Sequence, residues 1–125
     1  MARVPIVRLG DVLLAPFPED LTDHDALDLQ QNLACSLGQR DTRGVILDLS
    51  IVETVDSFLG RLIGDIATES RLLGAETVVV GMQPAVAITL VELGLQLRGV
   101  RTALNLEKGL ALLARPPTRS QKVGR

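Results

Sequence analysis

The chain has 125 residues, 46% of them hydrophobic and 22% charged, with a formal net charge of -2 at pH 7. That length fits one compact domain with a buried core and a charged surface. A net negative charge argues against a nucleic-acid binder held by phosphate contacts.

Two short apolar segments open the sequence, Arg3–Leu9 and Val12–Phe17, and Gly10-Asp11 between them predicts a hairpin. Pro16 and Pro18 close the second strand, because proline cannot donate to a ladder. Thr22 then caps a helix with Asp25 in its first turn, and Ala26, Leu29, Leu33 and Leu37 form one buried stripe. Gly38 fits the stop position. Cys35, the single cysteine, allows no intrachain disulfide and reads as a small buried hydrophobe in that helix.

Gly44–Leu49 is a short apolar run typical of a buried central strand. A loop, Ser50–Asp56, leads into a helix over Ser57–Leu73, with Leu59, Leu62, Ile63, Ile66 and Leu73 on its apolar face and Gly74 at its end. Thr77–Met82 reads as a second buried strand. Pro84 opens the next helix, where its missing N–H costs little, and Gly94 ends it. A strand near Arg101–Ala103 and a helix from Asn105 to about Ala114 complete the unit. The order is β-β-α-β-α-β-α-β-α, an α/β fold with a mixed, mostly parallel sheet and four helices.

The last eleven residues carry Arg115, Arg119, Lys122 and Arg125 and no acid, while the rest of the chain has 9 basic and 15 acidic residues. The expected organisation is one domain over residues 1–114 and a basic, disordered tail over 115–125, with solubility the commoner reason for such a tail. Neither a signal peptide nor a run of about 18 apolar residues is present, so the expected compartment is the cytoplasm, with no membrane contact.

Val55-Asp56-Ser57-Phe58 lies after a central strand and opens a helix, where open α/β sheets place functional loops. Local sequence favours Ser57 as a simple N-cap. Three features point toward a modified or partner-binding face instead. Phe58, one of only two aromatics with Phe17, falls off the apolar helical face. Gly60 and Gly64 share a face with Ser57, although each interior glycine costs about 1 kcal/mol relative to alanine; they admit a partner's backbone or pack within the domain. Glu53 and Asp56 make the loop acidic, so a phosphate there adds like charge. Enzyme readings are weaker. The only histidine, His24, is placed between two aspartates in a first helical turn. No nucleophile elbow, phosphate-binding glycine loop or metal-ligand cluster is present. Asp48, Asp56 and Asp65 read as structural or solvated carboxylates, and no cofactor is expected.

Leu47 to Phe58 (L-D-L-S-x-V-x-x-V-D-S-F), followed by Gly64-Asp65, resembles the phosphorylation loop of the STAS family. Gly81 to Gly94 (G-M-Q-P-A-V-A-I-T-L-V-E-L-G) is similar to the small stressosome members of that family, the RsbS type. The likeness covers about Val4 to Leu113. It implies a non-catalytic scaffold that self-associates, co-assembles with RsbR-type STAS proteins and sequesters an RsbT-type serine kinase. Phosphorylation then releases the kinase, and an RsbX-type phosphatase resets the system. By match to the loop, the phosphoserine falls on Ser57, with Asp56, Phe58, Gly60, Arg61 and Gly64 as candidate partner contacts. Thr89 matches approximately the second phosphosite of RsbR-type proteins, but its mid-helix place among Ile88, Leu90 and Val91 reads as structural. RsbR-type proteins carry an N-terminal sensory domain; this sequence starts at its first strand, which favours the RsbS type. The alternatives are a SpoIIAA-like anti-anti-sigma factor binding an anti-sigma kinase, and a small-molecule or nucleotide-binding module or hydrolase using Asp56 and Ser57.

Overall fold

The computed structural model describes residues 4–95 and 97–114. The expected basic tail and Arg3 lie outside the described residues. Nine elements follow in order: β1 (Val7–Leu9), β2 (Val12–Pro16), α1 (Asp23–Gln39), β3 (Gly44–Asp48), α2 (Ser57–Leu72), β4 (Glu76–Val80), α3 (Pro84–Glu92), β5 (Val100–Ala103) and α4 (Leu106–Ala114). The α/β class and the element order match the expectation from sequence.

The five strands form one sheet in sequence order, β1-β2-β3-β4-β5. Gly10, at φ +66°, makes the tight turn that pairs β1 antiparallel to β2. The other three pairings are parallel, with Val12 beside Gly44, Gly44 beside Glu76 and Thr77 beside Val100. Each parallel strand is added on the same side of the last. Right-handed crossovers therefore put α1, α2 and α3 on one face.

Strand side chains alternate between two cores. Leu13, Ala15, Val45, Leu47 and Val79 face the three-helix layer, where they meet Leu29, Leu33, Leu59, Ile63, Ile66 and Leu90. Val12, Ile46, Val78 and Val80 face the other way, against Leu113, Leu106 and Leu110 of α4. One helix covers that face closely: a β-carbon on Gly109 would lie 2.7 Å from a Val80 methyl.

Some expectations change at the edges of elements. β1 is shorter than the apolar run, and Val4 is buried in the core ahead of the first ladder residue. Gly38 lies inside α1, and extended Arg40 ends the helix. A chain can carry an exposed helical glycine and continue for one more residue at a cost of about 1 kcal/mol. Cys35 is exposed rather than buried, because it lies off the Ala26–Leu37 stripe. Leu73 is exposed rather than on the apolar face of α2, because the helix ends at Leu72 and Leu73 is its C-cap with non-helical backbone. Thr22 does cap α1, and its hydroxyl and the Asp25 carboxylate form a reciprocal capping box. No helix among the described residues is long and apolar enough to cross a membrane.

Two buried hydroxyls, of Ser70 and Thr77, find no hydrogen-bond partner among the described residues. A buried unsatisfied hydroxyl costs about 1–3 kcal/mol. Thr77→Val keeps the shape and removes the cost, so its urea unfolding midpoint should rise, by about 1 kcal/mol of stability. A fall would mean that the hydroxyl is satisfied in the folded protein.

Candidate functional site

Parallel strands bring the carboxyl ends of β2, β3 and β4 to one rim. The segment 50–56 crosses that rim between β3 and α2. Its first half is fastened from several sides. The Leu49 N–H donates to the Val80 carbonyl at 2.9 Å, and the Val52 N–H donates to the Leu49 carbonyl at 3.0 Å. An Asp48 carboxylate oxygen accepts from the Ser50 N–H at 2.9 Å. The Gln83 side-chain amide donates to the Ser50 carbonyl at 2.9 Å. Leu49 and Val52 are buried, so the loop is pinned by apolar anchors as well.

Gly81 makes this fastening compatible with the next turn. Its φ is +74°, and a β-carbon there would lie 2.9 Å from the Ser50 β-carbon and 3.2 Å from the Ser50 α-carbon. Gln83 was not singled out from sequence. It lies 33 residues from the group it holds, and no local pattern marks such a contact.

The second half of the loop, Glu53 to Asp56, is largely exposed and runs into α2. Here the cap differs from expectation. Asp56 is the N-cap, and its Oδ1 accepts from the Leu59 N–H at 3.0 Å. Ser57 is the first helical residue, half-buried, and its hydroxyl makes no hydrogen bond among the described residues. Asp and Ser cap almost equally well, so the choice falls to the residue that still has extended backbone, and Asp56 has φ -122°. The Gly60 N–H bonds the Asp56 carbonyl at 3.2 Å. The amides of Ser57 and Phe58 remain at the positive end of the helix dipole. Asp56→Ala should therefore cost about 1 kcal/mol of stability in urea unfolding, and an unchanged midpoint would remove Asp56 from the cap.

The other expected site residues divide into two sets. Phe58 is half-buried rather than exposed: it packs on the main core and, with Phe17, Leu21 and Val55, borders a hollow of about 380 Å³ beside the loop. Gly60 is buried, and a β-carbon there would overlap the Leu95 side chain. Its small size serves packing within the domain. Gly64, by contrast, has open space where a β-carbon would go. Arg61 is exposed and has no hydrogen bond or ion pair among the described residues. Arg61, Gly64 and Asp65 share a shallow groove with Leu95. The open face beside Ser57 therefore consists of Asp56, the edge of Phe58, Arg61 and Gly64.

Several polar groups around the loop and on α1 and α3 have local partners. Asp48 and Asp56 are engaged with backbone amides. His24 is exposed on α1, 3.4 Å from Asp28, its neighbour one turn on. No group of three or more His, Cys, Asp or Glu among the described residues is placed to hold a metal ion. The Thr89 hydroxyl donates to the Ala85 carbonyl at 2.9 Å, one turn back in α3.

Comparison with known proteins adds three findings. The STAS domain model matches residues 3–109. RsbT co-antagonist protein RsbRD of Bacillus subtilis (strain 168) is 30% identical over 108 residues, which is 86% of this chain and 39% of that protein. The chain thus spans about two fifths of the length of the curated relatives it matches. Among solved structures, a serine-to-glutamate variant of Moorella thermoacetica RsbS is 40% identical, with a TM-score of 0.79 over 90% of this chain and 96% of that one. A chain from the molecular architecture of the stressosome, a signal integration and transduction hub, is also 40% identical, with a TM-score of 0.77 over 88% and 96%.

Proposed function

Since this chain belongs to the STAS domain family, we propose that it is a non-catalytic, cytoplasmic stressosome scaffold of the RsbS type. It holds an RsbT-type serine kinase while Ser57 is unmodified and releases the kinase once Ser57 is phosphorylated. The observation that carries this reading is the division of labour at the start of α2. Asp56 caps the helix, and the Ser57 hydroxyl is left without a structural duty. A phosphate can then be added or removed without undoing the cap.

The same geometry supplies the switch. Phosphorylation adds a charge of about -1.5 to -2 and three acceptor oxygens. The free amides at the start of α2 favour that charge within the domain. An apolar or acidic kinase surface does not, because it would have to desolvate a dianion beside Glu53 and Asp56. Contacts come from Asp56, Ser57, Phe58, Arg61 and Gly64, while Gly60 supports them from beneath by letting Leu95 close against α2. Thr89 is structural, its hydroxyl held on the preceding turn. An RsbX-type phosphatase resets the loop. Residues 1–114 form the working domain, and 115–125 are a basic tail that aids solubility.

Co-assembly with RsbR-type proteins and with further copies of this chain is the other half of the proposal. Likeness to a stressosome chain and to RsbT co-antagonists supports it. Mixed with an RsbR-type STAS protein, the chain should elute from size exclusion in a megadalton-scale particle. Persistence as a monomer or dimer would favour a SpoIIAA-like anti-anti-sigma factor instead.

A further inference from the structure

At the opposite end of the sheet from Ser57, the amino ends of β3, β4 and β5 share a second rim. A cleft of about 900 Å³ opens there, between the last turn of α2 and the last turn of α4. Three arginines border it, Arg43, Arg71 and Arg101, against one carboxylate, Glu76. Its floor is apolar, from residues such as Ala67, Val100 and Leu113. The volume falls in the range of small-molecule sites, about 300–1,000 Å³.

Two of the arginines are held in place, partly by residues that themselves line the cleft. Arg43 donates from Nε to Asp11 at 2.9 Å and from a terminal nitrogen to the Leu113 carbonyl at 3.1 Å. Arg101 pairs with Glu76 through Nε and donates to the Leu112 carbonyl at 3.1 Å. Each guanidinium has five N–H donors, so both keep donors to spare in fixed positions. Closing the end of α4 accounts for these two residues without a ligand.

Arg71 is different. Its guanidinium lies directly over Gly99, where a β-carbon would overlap it, and Gly99 has φ +76°. Among the described residues no carboxylate or carbonyl accepts from it. An exposed guanidinium seated on a bare backbone shares the cleft with two hydrogen-bonded guanidinium groups and an apolar floor, a set of donors suited to an anion.

We propose that this cleft binds a small phosphate-bearing anion, with Arg71 as the principal ligand and Arg43 and Arg101 as supporting donors. Along α2 the site lies about 21 Å from Ser57, at 1.5 Å per residue. Its occupancy is therefore independent of the kinase reading, and either can fail without the other.

Pyrophosphate titrated calorimetrically into the full chain at low ionic strength tests the site. Saturable one-to-one binding is expected, weakened about tenfold or more in Arg71→Gln. Arg71→Lys, which keeps the charge but not the fork, should fall between the two. Leu72→Gln, an adjacent exposed position, should bind like wild type, and equal melting temperatures would show that all variants are folded. The absence of saturable heat at millimolar pyrophosphate would overturn the proposal. So would unchanged affinity in Arg71→Gln.

Discussion

Ser57→Asp should lose at least about nine tenths of its kinase retention in a pull-down with an RsbT-type kinase, whereas Ser57→Ala should retain it. A single carboxylate brings about half to two thirds of the charge of a phosphate, so about tenfold is the lower end, equivalent to about 1.4 kcal/mol. The stability of the two variants makes the comparison clean. Asp56 provides the cap, so Ser57→Ala should shift stability by only about 0.5 kcal/mol or less. Ser57→Asp adds a negative charge at a helix start, worth about 0.3–1 kcal/mol in favour of folding. Weaker retention in Ser57→Asp would thus reflect the interface and not unfolding. Equal retention by both variants would sink the switch.

The largest effect on stability is expected from Phe17→Ala. Phe17 is 1% exposed and the only fully buried aromatic side chain, in a core otherwise built from Leu, Val, Ile and Ala. Phe→Ala in a packed core costs about 3–5 kcal/mol, through lost transfer energy and the cavity left behind. Domains of this size have about 5–15 kcal/mol in total, so the loss is a large fraction. Phe17 also follows β2, bonds the Asp48 carbonyl through its amide at 2.9 Å, and borders the hollow beside Val55, Asp56 and Phe58. Kinase retention should therefore fall along with the thermal midpoint. A Phe17→Ala protein with near wild-type stability would mean that the core closes over the site, contrary to the packing described.

The elements were legible where local pattern and tertiary environment agree. G-V-I-L-D-L is apolar on both faces because β3 is covered by helices on one side and α4 on the other. Gly74 and Gly94 were read correctly as stops, and both have positive φ just past a helix. Gly38 was misread because glycine at an exposed helical position carries the same local signal without the left-handed turn. Cys35 was misread because its burial depends on the direction of the α1 stripe rather than on its apolar neighbours.

At the site, the D-S-F segment was legible but its internal roles were not. Asp56 and Ser57 are near-equivalent caps, and only the backbone decides which one serves. Gly60 and Gly64 carry the same letter, yet one is packed under Leu95 and the other is open. That difference is set by a segment 35 residues downstream. The arginine cleft was invisible for the same reason: Arg43, Arg71 and Arg101 come together only when three strands and two helices end at one rim.

Phosphopeptide mapping after incubation with the cognate RsbT-type kinase and ATP tests the central claim most directly. A single phosphate on Ser57 is expected, with none on a Ser57→Ala protein whose fold is intact. Phosphate on Thr89 or elsewhere in place of Ser57, or no phosphate at all under conditions in which the kinase modifies an RsbR-type protein, would contradict it.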